Sequence, residues 1–145
     1  MAETGTYTLL VELTEPATIE VGALGEFGFA AGAYAYTGSA FGPGGFARVE
    51  RHRELAAGER DARHWHVDYL LGHHAASVDR VITTPGADVE CTVARAIEGE
   101  RVPAFGASDC GCDSHLVYGP DRAALVWSVE QAHERAREDA ATGGT

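Results

Sequence analysis

Glu90 is the residue whose position most directly calls for a chemical explanation. The segment 88–98 (DVECTVARAIE) reads as a helix with an apolar arc of Val89, Val93, Ala94, Ala96 and Ile97, and Glu90 falls inside that arc. A carboxylate aimed toward a core needs a base, a hydrogen-bond donor or a metal. In the first turn the helix dipole favours its ionised form, and an ionised oxygen ligand suits Mg²⁺. The plainer alternative is a glutamate that only complements the dipole. Three tyrosines form a second group. Tyr7 lies on the apolar face of one strand, and Tyr34 and Tyr36 share a face of another. A phenol can pack by its ring and still present its hydroxyl to a site, where it can accept a proton. For any one of them alone, strand packing is the simpler reading.

The loop 38–45 (GSAFGPGG) leads into a helix read over 46–57. Free N–H groups at such a helix start can hold a phosphate, although no Gly-Lys-Ser/Thr follows to make a P-loop. On that helix Arg48, Arg51, His52 and Leu55 fall on one side, so Arg48 and His52 would face the same anion. A solvated helix face is the alternative. Cys91, Cys110, Cys112 and His115 could supply four zinc ligands, although the C-x-C spacing is tighter than usual. Free thiols, or a disulfide from Cys91 to Cys110 or Cys112, are the other readings, and a cytosol disfavours the disulfide. The patch His64, Trp65, His66 and Asp68 reads mostly as packing, with some scope for substrate contact.

These groups must be positioned by a single domain, since the chain has 145 residues. The order reads as strand 7–13, strand 18–21, turns at Gly22, Gly25 and Gly28, and strand 33–37. Helix 46–57, a short helix 65–72, strand 77–83, helix 88–98, loop 105–114 and strand 115–118 follow. An exposed helix over 128–139 closes the chain, and the last six residues are expected to fray. In the first strand Tyr7, Leu9, Val11 and Leu13 form one face. This order is that of an α/β chain of the α+β type.

The hydrophobic content is 45%, the charged content 23% and the net charge −11, from 22 acids against 11 bases. All the bases are arginine, and the chain has no lysine or asparagine. At about 1 M salt the Debye length is only about 3 Å, so an acidic surface of this kind is tolerable there, and the composition reads as that of a halophile. Residues 48–66 are the locally basic exception, with five arginines and three histidines against four acids. No apolar run is long enough to span a membrane and no leader is evident, so a cytoplasmic protein without membrane association is expected.

Together the motifs resemble the GIY-YIG nucleases, in particular the small archaeal branch of the Uri endonuclease superfamily. Gly5-Thr6-Tyr7 stands for the first family tripeptide and Tyr36-Thr37-Gly38, continued by Ser39, for the second. Arg48 with Arg51-His52, then Trp65-His66-Val67-Asp68, the helix bearing Glu90-Cys91, Phe105 to Cys110 and Ser114-His115-Leu116 follow in the family order. The resemblance covers residues 5–118, with 119–145 as an extension, and it implies a small antiparallel sheet flanked by helices with residues 14–32 inserted as a hairpin. It implies a metal-dependent endonuclease acting on DNA. Tyr7 would accept a proton or orient water, and Arg48 would stabilise phosphate charge. Tyr36 would position groups, His52 would assist proton transfer, and Glu90 would ligate Mg²⁺ or Mn²⁺. Gly38, Ser39, Arg51 and His66 would contact substrate. The chain departs from the family in its wider tripeptide spacing, its missing asparagine, for which Ser108 or Asp109 would stand in, and its acidity. Two other readings remain: a catalytically silent nucleic-acid-binding or zinc-stabilised module, and a thiol enzyme using Cys110, Cys112 and His115.

Overall fold

The computed structural model describes residues 5–21, 25–40, 45–57, 66–73, 75–86, 89–102 and 115–143. Strand β1 (Gly5–Leu13) lies at the heart of a five-stranded sheet. On one side it pairs antiparallel with β4 (Gly32–Ala40), placing Tyr7 opposite Gly38 and Leu9 opposite Tyr36. On the other it pairs antiparallel with β5 (Ala76–Pro85), placing Thr6 opposite Thr84. Beyond β4 come β7 (Leu116–Gly119) and then the two-residue β6 (Glu100–Arg101), so the order is β5-β1-β4-β7-β6. Between β1 and β4 the chain makes a separate hairpin of β2 (Ala17–Glu20) and β3 (Glu26–Phe29). This is the insertion expected from the sequence. Gly28, expected in a turn, sits within β3, and Gly38–Ala40, expected in a loop, extend β4.

The sheet is covered on both faces. Leu9, Val11, Tyr34, Tyr36 and Leu116 pack against α1 (Ala47–Ala56), α2 (His66–Leu71) and the hairpin residues Ile19, Val21 and Phe29. On the opposite face Leu10, Ala35 and Val117 pack against α3 (Glu90–Ala96) and α4 (Arg122–Gly143). Because β1 is sandwiched, the one-sided alternation expected for it gives way to burial of both faces from Gly5 to Val11.

The closing helix differs most from expectation. It begins at Arg122 rather than 128, continues to Gly143, and is packed rather than exposed. Its inner stripe is Leu125, Val126, Val129, Ala132, His133 and Ala136, a helical spacing that buries one full side. Residues 119–136 are therefore bound up with the core. In β5 a bulge separates the partners of Leu10 and Val11, which are Arg80 and Val78, leaving Asp79 as the extra residue. Asp79 accepts a hydrogen bond from Arg122, and Arg80 lies 3.3 Å from Glu130, so the bulge sends two consecutive charges to α4. Among the described residues, no helix is long and apolar enough to cross a membrane.

Candidate functional site

Two features of the backbone bring Tyr7 and His52 together. Tyr7 points toward α1 because it alternates with Leu9 and Val11 on that face of β1. In α1 the buried positions are Val49, His52 and Leu55, spaced three apart, so His52 belongs to the inner stripe. The expected outward face shared by Arg48, Arg51, His52 and Leu55 is therefore corrected: His52 and Leu55 face the core and Arg51 is half-buried. The hydrophobic demand of Val49 and Leu55 sets the helix rotation, and it carries His52 inward with them.

The result is a buried polar chain. The Tyr7 hydroxyl lies 3.0 Å from His52 Nε2, and His52 Nδ1 lies 3.2 Å from Asp68 Oδ1. The second contact has the distance of an ion pair without the alignment of a hydrogen bond. Tyr7 donating to Nε2 assigns the proton of a neutral imidazole to Nδ1, beside the carboxylate. The ring of Tyr36 meets His52 edge to face, with centroids 6.4 Å apart. Gly38 completes the site by what it lacks: a Cβ there would stand 2.6 Å from the Tyr7 oxygen and 2.8 Å from Cζ. The tyrosine lies directly over its cross-strand glycine.

Asp68 is the member of this chain that sequence reasoning passed over as packing. A signal was available. Asp68 and Leu71 are three apart on α2, and both are buried, so the acid sits on an apolar stripe, as was argued for Glu90.

Other candidates are only partly placed. Arg48 stands on α1, Ser39 on β4, and His66 opens α2, but their side chains lie outside the described residues. Glu90 is the first residue of α3, and its side chain is likewise outside. The helix start is pinned by the Val89 N–H, which donates to Thr6 Oγ1 at 3.0 Å, and Thr6 adjoins Tyr7. Helix α3 lies across the sheet from α1, and the Val89–Thr6 bond ties its start to the beginning of the Tyr7 strand. The expected arc is present in Val93, Ala94 and Ile97, which are buried. Of the expected zinc set, Cys110, Cys112 and the Cys91 side chain lie outside the described residues, as do Ser108 and Asp109. His115 is buried, and its carbonyl accepts from the Thr37 N–H at 3.0 Å. Among the described residues, no three potential metal ligands converge.

A second buried histidine on the other face was not anticipated. His133 of α4 places Nε2 2.7 Å from Thr8 Oγ1 and Nδ1 2.8 Å from Thr84 Oγ1, and Thr8 in turn lies 2.9 Å from Thr37 Oγ1. Hydroxyls that both donate and accept satisfy a neutral imidazole at both nitrogens. Burial, and then the nearby Arg137 guanidinium, lower its pKa from 6.5 to about 4. The folded state therefore resists protonation that the unfolded chain accepts. This contribution is fully present above about pH 6.5 and is lost as the pH falls through about 4, amounting to about 3 kcal/mol. Urea unfolding between pH 7 and pH 4 is expected to show that loss, and His133→Leu is expected to flatten it.

No curated protein and no solved structure matches the chain. Residues 6–138 match the Domain of unknown function DUF123, a span that takes in the buried Tyr7–His52–Asp68 chain and most of α4. The chain belongs to that family.

Proposed function

We propose that this protein is a cytoplasmic, metal-dependent endonuclease that hydrolyses phosphodiester bonds in DNA, as the GIY-YIG resemblance implies. The observation that carries the reading is the 3.0 Å contact between the Tyr7 hydroxyl and His52 Nε2, with Asp68 behind the ring. In this scheme an attacking water gives its proton to the Tyr7 oxygen while the Tyr7 proton passes to His52 Nε2. The imidazolium that results is stabilised by the Asp68 carboxylate 3.2 Å from Nδ1. Tyr36 fixes the imidazole by edge-to-face packing. Arg48 would neutralise the phosphate, and Arg51, Ser39 and His66 would hold the strand around it.

The donor chemistry fits a hard divalent cation. Glu90 would supply an oxygen ligand, and the Val89–Thr6 bond ties its helix to the strand of Tyr7. A bound Mg²⁺ or Mn²⁺ supplies Lewis-acid stabilisation of the leaving oxygen.

The test is cleavage of single-stranded, duplex and branched DNA with Mn²⁺ or Mg²⁺, from low to molar KCl, with Glu90→Ala as control. Product is expected only with metal and only from the parent chain. Metal-independent cleavage, or an active Glu90→Ala, would refute the scheme. The charge of −11 predicts modest affinity resting on few ionic contacts, with a shallow salt dependence.

A second reading, a binding module without chemistry, is favoured by one observation. Tyr7 is 1% exposed and His52 0% exposed. A phenol sealed in this way orders the core without meeting water. That module would bind DNA with a salt slope and leave it intact at every metal concentration.

A further inference from the structure

At the other end of the same sheet face lies a cavity of about 340 Å³ that the nuclease reading does not use. It opens between the inserted hairpin and the β4–β7–β6 edge. Its walls are Phe27, Phe29, Tyr34 and Tyr118, with Val102 beside them and Glu100 as the one charged lining residue among the described residues. Tyr34 is four residues from Gly38 along β4, which separates this cavity from the Tyr7 site by about 13 Å.

The sheet register builds one side of the cavity. Tyr34 stands opposite Tyr118, and Tyr118 stands opposite Glu100, so two phenols and a carboxylate form a row across three strands. The hairpin supplies the other side. Phe27 and Phe29 stack at 6.1 Å, Phe29 meets Tyr34 edge-on at 5.7 Å, and Tyr34 tilts 45° from Tyr118 at 5.0 Å. These are separations of rings in direct contact, and Phe29 and Tyr34 are nearly buried, so the half-buried Phe27 and Tyr118 are the rings open to the hollow. Both phenols are anchored from behind: Tyr34 donates to the Ala30 carbonyl at 2.6 Å and Tyr118 to the Ala31 carbonyl at 2.9 Å. Tyr118 also lies close over Gly32, where a Cβ would stand 2.9 Å from its ring. The rings are thus fixed before any ligand arrives.

We propose that this aromatic hollow, closed on one side by Glu100, binds a methylated ammonium cation. The accessible parts of the Phe27 and Tyr118 rings attract a cation whose methyl skin costs little to dehydrate, and the Glu100 carboxylate supplies the counter-charge. A compact, strongly hydrated ion gains much less from such walls. An anionic group is repelled by the same carboxylate, which argues against a nucleotide phosphate. Burial, the neighbouring Tyr118 and Glu100 all hold the Tyr34 phenol above its usual range, so it stays protonated and keeps its bond to Ala30. The site depends on the inserted hairpin and not on the Tyr7–His52–Asp68 chain, so it stands independently of the proposed nuclease activity.

The test is calorimetric titration of the full chain with tetramethylammonium chloride and with choline, at ionic strength fixed by KCl. Saturable binding is expected, with choline at least tenfold tighter than its neutral isostere 3,3-dimethylbutan-1-ol. Glu100→Gln, at an exposed position, is expected to weaken choline about tenfold, and Tyr118→Leu by a similar factor. Tyr7→Phe is expected to leave it unchanged. Absence of saturable heat, equal affinity for the neutral isostere, or indifference to Glu100→Gln would overturn the proposal. So would adenosine binding more tightly than choline with sensitivity to Tyr118→Leu alone, since the hollow would then be a base-stacking site.

Discussion

Tyr7→Phe is expected to lower the single-turnover rate of DNA cleavage by about 10²- to 10⁴-fold while the protein stays folded. The change removes one oxygen. The phenylalanine ring keeps the packing of Tyr7 against its core neighbours. What is lost is the hydroxyl 3.0 Å from His52 Nε2, and with it the path by which, in the proposed scheme, a proton would reach the imidazole. The stability cost is bounded by that of leaving one buried nitrogen without its donor, about 1–3 kcal/mol. Rate and thermal midpoint must therefore be measured together. A large fall in rate with a small fall in midpoint assigns Tyr7 to the chemistry. A folded variant that cuts at the parent rate removes Tyr7 from it and favours the silent module.

Gly38→Ala is the complementary experiment, since it adds a methyl group and removes nothing. The new carbon would stand 2.6 Å from the Tyr7 oxygen, 2.8 Å from Cζ and 3.3 Å from the Tyr36 ring. Neither tyrosine is a loose surface side chain, because both are buried in the same core. The ring of Tyr7 must therefore shift and break its alignment with His52. Overpacking of this kind costs about 1–3 kcal/mol, and the cleavage rate should fall nearly as far as in Tyr7→Phe. The two substitutions are expected to be strongly non-additive in rate, because both disable the same contact. A Gly38→Ala variant with unchanged rate and midpoint would mean that the strand yields and that the glycine is not needed for the placement of Tyr7.

Much of the architecture could be read from the chain because its signals were local. Alternation in 7–13, the helical arc around Val93 and Ile97, and the strand near 77–83 each depend on a few neighbouring residues. What escaped depended on partners distant in sequence. Nothing near Thr8 announces that His133 will lie against it. The inner stripe of α4 is built partly from alanines and a histidine, residues that carry little hydrophobic signal, so the helix looked exposed. In the site, the fold brings Tyr7, Tyr36, Gly38 and His52 side by side, while His52 points inward and not outward as the arginines at 48 and 51 suggest. The pull of Val49 and Leu55 decides the rotation instead. Asp68 was missed because its meaning lies in the His52 ring it faces, sixteen positions back and on another helix.

The bulge at Asp79 has a consequence for the behaviour of many molecules at once. Strand β5 is the outermost of the five on its side, and its ten residues offer a ledge of backbone donors and acceptors on which a neighbouring molecule's strand could seat itself. An extra residue halfway along breaks the even spacing such a visitor would need. Crowded copies would find the β5 edge interrupted partway and a poor template for a fibre.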